Sequence, residues 1–68
     1  KFVKTTMKGV ILERADLSFA DFSGSQLDGA NLQSANLTRT IFRDASLRSA
    51  NLSAALLDGT DWTNAVVP

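Results

Sequence analysis

The side chains able to do chemistry are few. Seven carboxylates, Glu13, Asp16, Asp21, Asp28, Asp44, Asp58 and Asp61, are spread through the 68 residues, and histidine, cysteine and tyrosine are absent. Carboxylates in convergent pairs can exchange protons or hold calcium. None of these seven has a basic or metal-ligating partner at a suggestive spacing. Without histidine the commonest general base and metal ligand is missing, and without cysteine there is no thiolate, disulfide or zinc site. The single glycines lie too far apart for a phosphate-cradling loop, and Asp28-Gly29 and Asp58-Gly59 have the chemistry of turns. The sequence therefore predicts no enzyme, no cofactor and no metal site, and directs attention to what the chain builds.

Seven Lys and Arg balance seven Asp and Glu, for a formal net charge of zero. A nucleic-acid binder normally carries a basic excess and an acidic mimic of DNA the reverse. The chain has room for one small domain, residues 1–68. The longest apolar run is four residues, Ala54 to Leu57, so no segment reads as a membrane-spanning helix or a signal-peptide core.

The element that positions every side chain is a five-residue repeat. Starting at Phe2, each fifth residue is large and apolar: Phe2, Met7, Leu12, Leu17, Phe22, Leu27, Leu32, Leu37, Phe42, Leu47, Leu52, Leu57, Trp62, Val67. Two residues before these centres, eight of thirteen positions are alanine, and the others are Thr5, Val10, Ser25, Thr40 and Thr60. Immediately before the centres stand Asp16, Asp21, Asn31, Asn36, Asn51 and Asp61. A helix repeats at 3.6 residues and a flat strand at 2, so neither accommodates a period of five. One large and one small inward residue per five suit a short extended side followed by a corner. All four glycines fall two residues after a centre, where a type II turn takes glycine; the other corners carry Ser, Arg, Asn, Asp, Ala, Lys or Phe, which points to another turn type there.

The units Ala15-Asp16-Leu17-Ser18-Phe19 and Ala35-Asn36-Leu37-Thr38-Arg39 resemble the pentapeptide-repeat family, and the match spans essentially the whole chain. The resemblance implies an all-β fold, a right-handed quadrilateral β-helix. Its coils hold twenty residues each, about 3.4 of them here, with residues 1–10 a degenerate first part-coil. Centres twenty apart should then stack about 4.8 Å from each other. The columns are Phe2/Phe22/Phe42/Trp62, Met7/Leu27/Leu47/Val67, Leu12/Leu32/Leu52 and Leu17/Leu37/Leu57, and every aromatic centre falls in the first. All of these except Met7 and Val67 form the expected core. Asn and Asp before the centres are expected to bond the backbone around the corners, with Asn31 and Asn51 stacking as an amide ladder.

Function must then reside on the outward positions or at the raw ends, which solenoids usually cover with a cap, a dimer partner or another protein. Phe19 is the one outward aromatic, in a column with Arg39, with Ile41 on the adjoining face and Arg43 nearby; Phe19, Arg39, Ile41 and Arg43 form the candidate partner patch. Lys8, Asp28 and Arg48 make a column of alternating sign, read as stacked ion pairs. Lys1, Lys4 and Lys8 read as a solvated basic end, and Ile11 and Leu56 as scattered exposed apolar residues. The expected function is a non-catalytic structural or protein-interaction module, with a protein partner covering a face or an end, as a homodimer or a subunit of a larger complex. A start at Lys1 reads as a processed product or a fragment. The resemblance points to the thylakoid lumen, with the cytoplasm as the alternative. It also brings a second reading, since a subset of the family inhibits DNA gyrase by mimicking DNA; those members are long, acidic and dimeric, unlike this chain.

Overall fold

A computed structural model describes residues 2–68; Lys1, placed above in the basic end, lies outside the described residues. The backbone pairs with itself at a separation of twenty. Parallel bridges join Thr6 to Gln26, Ile11 to Asn31, Asp16 to Asn36 and Asp21 to Ile41, and the series continues to Ser46 and Val66. Each bridge sits on the residue before a centre, so a coil has four sides and each side pairs through a single residue. Two of every five residues form the turn and the next closes it, which leaves too little extended chain for a longer strand.

Three hydrogen bonds per five residues tie one coil to the next. In the unit around Phe22, the amide of Phe22 donates to Ile41 O (2.7 Å), that of Gly24 to Arg43 O (2.7 Å), and Ile41 N donates back to Ala20 O (2.8 Å). A further bond closes each corner, from the residue after the corner to the centre, as in Ala30 N to Leu27 O (3.0 Å). The corner residue itself has positive φ throughout. From Lys4 to Asn64 these angles span 55° to 72°, nine of them on non-glycine residues. The expectation of another turn type at the non-glycine corners is therefore corrected: one left-handed corner serves all, because a fixed coil geometry overrides the local cost of αL for an L residue.

Inside, the aromatic column is a continuous stack. Ring centroids are 4.9 Å apart for Phe2 and Phe22, 5.3 Å for Phe22 and Phe42, and 4.9 Å for Phe42 and Trp62, with interplanar angles of 9° to 11°. The coil spacing sets both distance and parallelism. Phe22, Leu27, Leu32, Leu37, Phe42 and Leu47 are fully buried, with Ala30, Ala35 and Ala45 beside them. Leu12, Leu17, Leu52 and Trp62 are half-buried against that core. Two expected core residues are corrected: Phe2 is 39% and Leu57 43% exposed. Both point along the core columns, but no coil covers their outer side.

At three of the five inward positions where alanine is replaced, a hydroxyl finds a carbonyl of the preceding coil. Thr40 Oγ1 donates to Leu17 O and Thr60 Oγ1 to Leu37 O, each at 2.8 Å, and Ser25 Oγ donates to Phe2 O. Among the described residues no buried side-chain polar atom lacks a partner, as a dry interior requires.

Candidate protein-contact surface

The outward positions carry the candidate patch, and the corner geometry aims it. Phe19 occupies a left-handed corner with φ 65°, its amide tied to Thr38 O at 2.9 Å; Arg39 occupies the corner one coil on, with φ 55° and its amide tied to Asp58 O at 2.8 Å. The backbone thus holds both side chains outward in one column. Phe19 is 68% exposed, and the Arg39 guanidinium lies over its ring at 5.9 Å from the centroid, within cation–π range. The third residue of the column is Gly59. A β-carbon there would stand 3.1 Å from Arg39 Cγ, so the glycine leaves room for the arginine stem.

The other two patch residues behave differently. Ile41 is half-buried and pairs through its backbone with Asp21 and Asp61. Arg43 donates from Nε to Asp61 Oδ2 at 2.6 Å. The structure therefore joins Phe19 to Arg39 directly, while Arg43 is engaged by the next coil.

Three side-chain contacts share a spacing of eighteen: Arg43 with Asp61, Ser46 with Asp28, and Asn31 with Glu13 at 3.5 Å. In each, the residue after one centre meets the residue before a centre in the next coil. Columns of twenty do not contain this diagonal, which follows from the offset between outward side chains of adjacent coils. Lys8, Asp28 and Arg48 accordingly close no ion pair among themselves within 4.0 Å. Asp28 instead accepts from the Ser46 hydroxyl and from the Arg48 amide at 3.3 Å, which lowers its pKa, the hydroxyl first, with Arg48 and Lys8 adding at longer range.

The expected side-chain bonds around the corners are present. Asp16, Asp21, Asn31, Asn36, Asn51 and Asp61 each accept through Oδ1 from the backbone amide two residues on, at 3.0–3.1 Å. The amide ladder of Asn31 and Asn51 is corrected: their oxygens are turned to Gln33 and Ser53, and the Asn31 amide nitrogen reaches Glu13. In Asp16, Asp21, Asn36 and Asp61 the same oxygen also accepts the hydroxyl of the Ser or Thr two residues on. Asp61, bonded to the Thr63 hydroxyl, to Arg43 and to the Thr63 amide, is held down at about 2, and Asp16 is lowered by the Ser18 hydroxyl and amide. These carboxylates act as corner braces. Ile11 and Leu56 are exposed, as expected.

At the end formed by the last coil, Ala50, Leu52, Ser53, Leu57, Trp62, Val67 and Pro68 line an open apolar hollow of about 420 Å³. Sequence reasoning foresaw a raw end but not this hollow, which arises because the last coil's centres face along the axis into solvent.

Among curated proteins no sequence matches this chain. Solved structures do. A pentapeptide repeat protein of the Arabidopsis thaliana thylakoid lumen is 34% identical, with a TM-score of 0.92 over 94% of this chain and 44% of its own. HetL, a pentapeptide repeat protein involved in heterocyst differentiation regulation in the cyanobacterium Nostoc, is 31% identical, with a TM-score of 0.70 over 96% of this chain and 33% of HetL. Rfr23 of the cyanobacterium Cyanothece is 31% identical, with a TM-score of 0.60 over 98% of this chain and 43% of Rfr23. The chain thus spans less than half the length of each of these proteins. The family profile described as pentapeptide repeats matches residues 1–25, 7–44 and 45–66, in eight copies. With the five-residue register, the coil ladder and these matches in agreement, the chain belongs to the pentapeptide-repeat family, whose members are right-handed β-helices.

Proposed function

We propose that this chain is a non-catalytic protein-interaction module that presents the Phe19–Arg39 corner to a protein partner. The observation that supports it most is the exposed aromatic ring capped by a guanidinium on a backbone pinned by two coil-to-coil bonds. Such a pair offers apolar area, a cation and fixed geometry together, and aromatic and arginine side chains dominate protein contacts. The order is in place before the partner arrives, so little side-chain freedom is lost on binding. Ile41 and Arg43 form the flank of the same surface.

The thylakoid-lumen origin of the similar Arabidopsis protein supports that compartment for this one, as a small subunit of a larger assembly. Recovery of a native partner by cross-linking, with wild-type, Phe19→Asp, Arg39→Glu and Ile11→Asp chains as baits, tests the reading. The two corner variants should lose the partner and Ile11→Asp should keep it. Undiminished recovery with both corner variants removes the corner as the site. A DNA-gyrase supercoiling assay tests the DNA-mimic alternative, and no inhibition is expected from a neutral chain.

A further inference from the structure

Gly59 stands in the same column as Phe19 and Arg39, one coil beyond the arginine. Three corners of the molecule hold a long cation, Lys4, Arg14 and Arg39. Two of these are followed one coil on by glycine, Lys4 by Gly24 and Arg39 by Gly59, and in both the stem of the cation leans into the space left open. A β-carbon at Gly24 would stand 3.2 Å from Lys4 Cγ, and one at Gly59 3.1 Å from Arg39 Cγ. At Gly9 and Gly29, which have the same left-handed conformation, a β-carbon would meet nothing within 4 Å.

The backbone does not demand glycine at 59. The corners on either side in the chain are Ala54 and Asn64, with φ 60° and 57° against 68° for Gly59. A β-carbon at 59 would lie 3.9 Å from both the amide nitrogen and Cα of Arg39, an ordinary contact distance. Only Cγ is too close. Torsion about χ1 places that carbon, so the stem yields by turning there, and the turn is amplified along the rest of the stem to the guanidinium.

No polar contact opposes such a turn. Among the described residues the Arg39 guanidinium takes part in no hydrogen bond or ion pair, whereas Arg43 is pinned by Asp61 at 2.6 Å. The Phe19 ring lies on one side of Arg39 and the open space of Gly59 on the other. At 5.9 Å from the ring centroid the guanidinium is already near the outer limit of about 6 Å for cation–π attraction. With the ring on one side and a new β-carbon on the other, a small turn carries it out of the column.

We infer, taking the Phe19–Arg39 corner as the partner site, that Gly59 is its positioning residue: lacking a side chain, it seats the Arg39 stem in the column and so holds the guanidinium on the Phe19 ring. Gly59 acts through Arg39 rather than by contact with a partner. Asp28-Gly29 is the same dipeptide at an equivalent corner without that task, which makes it the natural control.

Proton NMR of the arginine-labelled chain reads the seating. The Arg39 δ- and ε-protons of the wild type should lie upfield of their positions in Phe19→Leu, which lacks the ring. Gly59→Ala should move them to the Phe19→Leu positions. Gly29→Ala carries the same left-handed cost and should leave them where they are. Wild-type shifts retained in Gly59→Ala, or an equal displacement in Gly29→Ala, overturn the inference. Thermal denaturation gives a reading that survives a loss of stability. Gly59→Ala should lower the midpoint more in the wild-type chain than in Arg39→Ala, where no Cγ remains to be crowded, and equal falls overturn the inference. In partner cross-linking, recovery should fall with Gly59→Ala and persist with Gly29→Ala. Recovery kept by Gly59→Ala but lost by Arg39→Glu refutes a role for Gly59 in recognition. Recovery kept by Phe19→Asp and Arg39→Glu as well refutes the corner as the partner site, and the NMR shifts still decide whether Gly59 seats Arg39.

Discussion

The middle coil and the end coils are built from the same residue types in the same columns, yet they differ in what holds them. Phe22 and Leu37 are fully buried, whereas Phe2 and Leu57, each a coil away in the same column, are 39% and 43% exposed. The backbone differs in the same sense. Interior coils have ladder partners on both sides, as when Leu32 N donates to Asn51 O while Asn31 N donates to Val10 O. The end coils have them on one side only. Burial in this fold is thus a property of position along the axis rather than of residue type. A solenoid adds stability through neighbours, so in this structure the coils with a neighbour on one side are held less firmly than the middle one.

The sharpest way to break that comparison is to delete the same ring at two heights. Phe22→Ala should cost about 3–5 kcal/mol, because the cavity is closed on both sides. Phe2→Ala should cost well under half as much, since solvent already reaches that ring. Urea denaturation of both variants measures the difference, and equal losses would contradict the axial account. A smaller effect of the same kind concerns the inward hydroxyls. Thr40→Val removes the bond from the fully buried Thr40 to Leu17 O and should destabilise by about 1 kcal/mol. Thr60→Val, in a more exposed place, should have a lesser effect on the same denaturation midpoint.

The corners sharpen the contrast in the opposite direction. Ala54 sits at φ 60° with no side-chain bond to compensate for a left-handed backbone. Ala54→Gly is expected to stabilise by about 0.5–1 kcal/mol, the relief of αL strain exceeding the added freedom of the unfolded chain. Thermal denaturation should show a rise in the midpoint, in a substitution that would weaken an ordinary strand or helix.

The smallest expected effect is on pH dependence. Asp61 is held near 2, against an ordinary value of 3.8, by the Thr63 hydroxyl and Arg43. Its folded-state pKa is depressed, so its contribution is fully present above about 4 and is lost as the pH falls toward 2. Asp61→Asn should flatten the loss of stability in that window and leave the curve at neutral pH nearly parallel to the wild type. Urea midpoints measured across the window give the slope directly.

The five-residue register, the aromatic column and the inward alanines were all legible in the sequence, since each follows from the size of a side chain and a fixed spacing. Phe19 and Arg39 were legible for the same reason, being corner residues twenty apart. The diagonal Arg43–Asp61 pair was not, because it depends on the offset between outward side chains of adjacent coils rather than on column membership. The uniform corner was obscured because local preference suggests a left-handed turn only where glycine stands, while the ladder imposes it on Arg14, Phe19 and Ser34 alike. The exposure of Phe2 and Leu57 was hidden by treating an inward direction as burial; at an end the two separate.

The account rests on coils of twenty residues that place Phe22 and Phe42 on each other. Proton NMR with ring-selective labelling of those two residues tests it most directly. Direct ring-to-ring Overhauser contacts are expected from centroids 5.3 Å apart and nearly parallel planes, with upfield ring-current shifts in both. Two rings with unrelated shifts and no mutual contact would contradict the coil register and the surfaces built on it.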